Sequence, residues 1–166
     1  MKILTGDLIE ARETYLCHQC NCITNRSKHL ARTVFNAYPY ADIYAPRTKP
    51  DLPGDVVIRG NGKNQRYIAA LLGQYYPGKS KYKTGKDSVS IRLKYFNMCL
   101  EKLELLAVDG ASFAFPWRIG CGAAGGDWGL YQKALKSFSI KINSKVIIYR
   151  LPDPFFKELS PERDLF

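Results

Sequence analysis

Residues 119–128 read Ile-Gly-Cys-Gly-Ala-Ala-Gly-Gly-Asp-Trp, with four glycines between an apolar strand-like run at 112–116 and a helix-like run starting at Trp128. Backbone without Cβ approaches a phosphate closely, and its N–H groups can converge on an anion. Asp127 stands where an N-cap belongs, and the helix behind it adds the positive end of its dipole. Strand, glycine loop and helix start in that order predict an anion-binding turn. The same glycines also suit a tight turn that only packs helix on strand, and this segment alone leaves both uses open.

The rest of the chain has the periodicities of an α/β domain. Ile3-Leu4 is a short apolar start, and 15–20 reads as a second strand. Apolar residues at 30, 31, 34, 35 and 38 form a helical stripe that Pro39 ends. Residues 51–54 form a turn. Runs at 56–59 and 67–72, joined by Gly60-Asn61-Gly62, predict a hairpin-like pair. A polar loop at 77–87 carries Lys79, Lys81, Lys83 and Lys86. The clearest helix is 91–106, with Ile91, Tyr95, Met98, Cys99, Leu103 and Leu106 on one side. Strand 112–116, helix 128–138 and strand 146–149 complete the order. Alternating strands and helices imply a three-layer α/β domain, with a short peripheral tail at 152–166.

Composition narrows the partners. The 166 residues suit one core. No stretch has the apolar length of a membrane span or the pattern of a signal peptide, so an intracellular protein of the cytoplasm or nucleus is expected. Five cysteines without a secretion signal point to reduced thiols. The net charge of +10 favours an anionic partner, whether nucleotide, nucleic acid or phosphoprotein, and equally favours plain solubility.

Several motifs compete. Gly120-x-Gly122-x-x-Gly125 matches a dinucleotide fingerprint, but in the last unit of the chain instead of the first. Residues 73–80, Gly-Gln-Tyr-Tyr-Pro-Gly-Lys-Ser, satisfy the P-loop expression, yet no helix pattern begins at the Gly-Lys-Ser. Cys17, Cys20 and Cys22 have a zinc-like spacing without a second knuckle, and on a strand Cys17 and Cys20 point oppositely. No metal and no cofactor is expected. His18 is either a buried structural histidine or a general acid/base. Asp7 either accepts a hydrogen bond from an exocyclic amine or caps a local N–H.

Taken together, Thr5-Gly6-Asp7-Leu8-Ile9, the strand end 17–21 and the stretch from Phe115-Pro116 to Trp128 resemble a macro domain over residues 1–151. The nearest branch holds the yeast-type ADP-ribose-1''-phosphate phosphatase and related viral and phage proteins. The resemblance implies a three-layer αβα fold with a central mixed β-sheet, and ADP-ribose in a cleft at the strand ends. Asp7 would hold the adenine amine beside the Leu8 backbone, and Asn21 would face the distal ribose. Gly120, Cys121, Gly122, Ala123, Ala124 and Gly125 would wrap the diphosphate and distal ribose through N–H groups, and Tyr149 would pack on adenine. The family's glycine-rich stretch after the asparagine is replaced here by 24–31, which carries Arg26, Lys28 and His29. The lysine and aspartate of the glycohydrolase branch are replaced by Gln74 and Ala124.

The expected activity is hydrolysis of an ADP-ribose derivative, either ADP-ribose-1''-phosphate or an ADP-ribosylated target. His18, Asn21 and Asp127 are the candidate catalytic groups. The alternatives are a non-catalytic reader of free or protein-linked ADP-ribose, a basic RNA-binding domain and a P-loop NTPase. Expected partners are ADP-ribose or a derivative, an ADP-ribosylated protein or nucleic acid, and no membrane. The chain is expected to be a monomer.

Overall fold

The computed structural model describes residues 1–153; most of the expected tail lies outside the described residues. Six strands are present: β1 (Lys2–Thr5), β2 (Tyr15–Gln19), β3 (Val56–Arg59), β4 (Tyr67–Leu71), β5 (Phe113–Pro116) and β6 (Val146–Arg150). Three helices join them: α1 (His29–Ala37), α2 (Val89–Glu104) and α3 (Trp128–Ile142). The sheet order is β1-β6-β5-β2-β4-β3. Only β3 against β4 is antiparallel, so the sheet is mixed.

Alternation along each strand sorts side chains onto two faces. Cys17, Ala69, Leu71, Phe113, Phe115, Val146 and Ile148 pack against α2 and α3. Leu16, Cys20, Ile68, Ala70, Leu72 and Ala114 pack against α1 on the other face. Burial on both faces explains why these strands are short apolar runs. It also separates Cys17 from Cys20, so the two thiols cannot share one ion. Gly60 closes the β3–β4 hairpin at φ 104, where a Cβ would meet the Arg66 carbonyl at 2.1 Å.

Helix boundaries differ from the sequence reading for local reasons. α2 begins earlier because Ser88 caps it, its Oγ accepting from the Ile91 N–H. Its buried stripe is Arg92, Phe96, Cys99, Leu100 and Leu103, whereas Met98 is exposed. A buried arginine therefore holds a position that the apolar pattern assigned to its neighbours. α3 runs past Phe138 until Asn143, which turns left-handed (φ 49) as helix-ending residues commonly do. Among the described residues no helix is long and apolar enough to cross a membrane.

Candidate functional site

The parallel strands all end at one rim. There the chain leaves β2 toward α1 on one face and leaves β5 toward α3 on the other. Loops that diverge this way open a crevice at the carboxyl ends of the strands. A cavity of about 820 Å³ lies in it, bounded by Gln19, Asn21 and Gln74, by 116–124, by part of 24–31 and by 77–81. That volume is within the range of small-molecule sites, about 300–1,000 Å³.

The glycine loop closes on itself while leaving amides outward. Arg118 (φ 58) and Gly120 (φ 72) are both left-handed and bracket Ile119. The Cys121 N–H donates to the Arg118 carbonyl (2.9 Å), and the Gly125 N–H to that of Gly122 (3.1 Å). The Gly126 N–H donates to the Gly120 carbonyl at 3.0 Å. The N–H groups of Gly120, Gly122, Ala123 and Ala124 have no acceptor among the described residues. Of the six residues expected to wrap a diphosphate through N–H groups, four thus present unengaged donors. Cys121 and Gly125 do not, because their amides stabilise the turn itself. A Cβ on Gly120 would meet the Tyr131 ring at 2.5 Å and Gln19 Oε1 at 2.9 Å, so the loop requires glycine there.

Asn21 stands opposite, 7% exposed. Its Oδ1 accepts from the Ile23 and Thr24 N–H groups (3.0 Å each) and from Thr24 Oγ1 (3.1 Å). Those donors fix the amide orientation and leave Nδ2 as a donor on the cavity wall. Arg47, missed in the sequence reading, holds this turn from below. It donates to the Asn21 and Thr24 carbonyls, pairs with Asp51 at 2.8 Å and lies over the Tyr44 ring.

A second buried arginine ties the lysine loop to the glycine loop. Arg92 and Asp87 pair at 2.5 Å, both almost wholly buried. Arg92 also donates to the carbonyls of Tyr76 (3.2 Å), Gly78 (2.6 Å) and Ala124 (3.2 Å). Asp87 accepts from the Tyr75 and Tyr76 N–H groups. The P-loop-like segment is therefore a cavity wall. α2 starts nine residues after Ser80, at Val89, and no helix N-terminus meets Gly78-Lys79-Ser80. The sequence did carry a signal for Arg92, a charge in register with Phe96, Cys99 and Leu103.

Charge in the cavity has one sign. Arg26, Lys28, Lys79, Lys81 and Arg118 line it together with His29, and no described lining residue is a carboxylate. Cys121 is also in the lining, but burial pushes its thiol up to about 11, so it stays protonated.

Asp7, Leu8 and Tyr149 lie outside this lining, at the neighbouring ends of β1 and β6. Asp7 Oδ1 accepts from the Ile9 N–H (2.9 Å), capping the 3-10 turn Leu8–Glu10, while the Leu8 N–H has no acceptor among the described residues. The Tyr149 ring lies under Gly6, and its hydroxyl donates to Glu13 at 2.8 Å. Burial, then that carboxylate, pushes the hydroxyl up to about 12. Trp117 links the two areas: it lines the cavity, and its N–H donates to the Tyr149 carbonyl.

Two of the three candidate catalytic residues are placed elsewhere. His18 is fully buried under α1, edge-on to Phe35, with only the Cys20 thiol near its nitrogens at 3.7 Å. Burial lowers its pKa to about 4, so it is neutral, and it does not line the cavity. Alternation dictates this, since His18 shares a face with Leu16 and Cys20. Asp127 caps α3, its Oδ1 accepting from the Gly129 N–H at 2.9 Å, and it too is outside the lining. Asn21 alone reaches the cavity. His29, from the stretch that stands in place of the family's glycine-rich one, also lines the cavity.

No protein-family model and no curated relative matches the chain. Solved structures do. A Bacteroides thetaiotaomicron protein of unknown function is 25% identical, with TM-score 0.69 over 89% of this chain and 95% of that one. The macrodomain of Mycobacterium tuberculosis DarG is 22% identical, with TM-score 0.68 over 92% and 99%. The macrodomain of Thermus aquaticus DarG is 20% identical, with TM-score 0.66 over 92% and 99%. These likenesses establish the fold.

Proposed function

We propose that this chain, which has the macrodomain fold, binds ADP-ribose or an ADP-ribose derivative in the crevice between the β2 and β5 loops. The diphosphate sits on the amides of Gly120, Gly122, Ala123 and Ala124. Asn21 Nδ2 donates to the distal ribose, and Asp7 with the Leu8 N–H takes the adenine edge. The observation that carries the reading is the set of four N–H donors without acceptors among the described residues, on residues that line one cavity with Asn21 and with no carboxylate. Preorganised backbone donors in such a place favour an anion without any side-chain rearrangement. Calorimetry with ADP-ribose, AMP and ribose 5-phosphate tests it. ADP-ribose should bind at least about tenfold more tightly than either fragment, because only it spans both areas. Equal affinity for AMP, or no heat with ADP-ribose, contradicts the reading.

Hydrolysis is the second reading, and His29 favours it. This residue lines the cavity while its backbone is held at φ 53, a strained conformation that clusters at functional sites. An imidazole there can move a proton at the distal end of the ligand. Incubation with ADP-ribose-1''-phosphate and with an ADP-ribosylated protein tests this. Turnover that disappears in His29→Ala supports it. Tight ADP-ribose binding with no turnover leaves a reader.

A further inference from the structure

Five cations at the cavity, Arg26, Lys28, Lys79, Lys81 and Arg118, have no anionic side-chain partner among the described residues. Asp51 and Asp87 are each already neutralised by a buried arginine. The diphosphate of ADP-ribose brings about two negative charges, which leaves roughly three of the five uncompensated. Crowding like charges around one mouth is repulsive unless a larger anion neutralises them. The surplus extends along the lysine loop, where Lys83 and Lys86 are exposed outside the cavity lining.

Aromatic rings are interleaved with these charges. Tyr76 and Tyr82 lie 5.8 Å apart at 36°, and the Lys86 ammonium stands 5.6 Å over the Tyr82 ring. Tyr82 is 37% exposed. A positive surface beside a partly exposed tyrosine, whose present neighbour over the ring is the mobile ammonium end of a lysine, has the composition of a single-strand nucleic-acid surface, because every base offers a face to stack and every linkage a phosphate. A duplex hides its base faces, and a phosphopeptide gains nothing from the rings.

We propose that the rim formed by the 77–87 loop and the 26–29 segment is a docking surface for single-stranded nucleic acid. The strand's phosphates lie along Lys79, Lys81, Lys83 and Lys86, and a base stacks on Tyr82. Binding there does not require ADP-ribose.

Fluorescence anisotropy of the full chain with a labelled strand of about 15 nucleotides, from about 50 to 200 mM salt, tests the proposal. Neutralising about four phosphates gives a log–log salt slope near −3. The double variant Lys83→Gln/Lys86→Gln should weaken strand binding about 20-fold at about 0.1 M salt and flatten the slope by about 1.4. Tyr82→Ser should weaken it about tenfold without changing the slope. None of these three residues lines the cavity, so ADP-ribose titrations of the same variants should match the parent protein. Duplex or a phosphorylated peptide binding as tightly as the strand, or variants indistinguishable from the parent, would overturn the proposal. Loss of ADP-ribose binding by the parent protein would count against the ADP-ribose reading alone.

Discussion

The glycine loop at 119–126 and the lysine loop at 77–87 wall the same cavity but are built in opposite ways. The glycine loop is shaped by its own backbone: left-handed Arg118 and Gly120, and three N–H groups returning to carbonyls within 118–122. The lysine loop is anchored mainly by a buried side-chain pair, Asp87 with Arg92, that reaches it from α2. The glycine loop is thus held by turns among its own residues, whereas the lysine loop depends on a side chain five positions beyond its end docking from the first turn of α2. Arg92 also donates to the Ala124 carbonyl, so the two walls are mechanically connected.

The largest effect should come from cutting that connection. Arg92→Met leaves Asp87 buried without its partner, which typically costs about 3–5 kcal/mol. Urea unfolding should show a loss of that size, with hydrogen exchange fastest in the lysine loop. A loss below about 1 kcal/mol would mean that the pair is not what holds this wall.

Next is Gly120→Val. The added Cβ would meet Tyr131 at 2.5 Å and must adopt φ 72. Strain of about 1–3 kcal/mol should fall on the glycine loop, and ADP-ribose affinity should drop by tenfold or more while the lysine loop keeps its exchange protection. A variant with parent-like affinity would show that the loop geometry is not needed for the ligand.

Asn21→Asp is a finer test. The carboxylate keeps the Oδ1 role toward Ile23, Thr24 and the Thr24 hydroxyl but replaces the Nδ2 donor on the cavity wall with an acceptor. ADP-ribose binding should fall by roughly 10- to 100-fold, about 1.4–2.8 kcal/mol, with thermal stability nearly unchanged.

The smallest effect concerns His18. Its folded pKa, about 4, lies below its ordinary value of 6.5 because of burial. Between those values the unfolded chain binds the extra proton, so stability falls as pH drops from about 6.5 toward 4. His18→Leu should abolish that component, worth about 1.4 kcal/mol at a pH near 5.5. ADP-ribose affinity in the same pH range should be untouched, since His18 does not line the cavity.

Legibility followed the same division between local and remote control. The strands, the helices and the Asp127 cap could be read because alternation, helical period and capping are local, whereas the mixed sheet came with the resemblance. The glycine loop was legible as a turn between strand and helix, but which amides remain unengaged depends on the internal turns closed by Cys121 and Gly125. Arg47 and Arg92 were not read as functional, since the carbonyls they hold, those of Thr24 and Ala124, are 23 and 32 residues away in sequence. The positions of the two histidines follow from the same contrast. Strand alternation aims His18 at α1, and the helix start that brings His29 to the cavity is fixed by packing on the opposite wall.

The most direct test of the central claim is an amide-resolved NMR titration with ADP-ribose. Saturable displacement of the Gly120, Gly122, Ala123 and Ala124 backbone resonances together with the Asn21 side-chain amide is expected. Millimolar ADP-ribose that leaves those five signals in place, or moves only signals remote from the crevice, would contradict it.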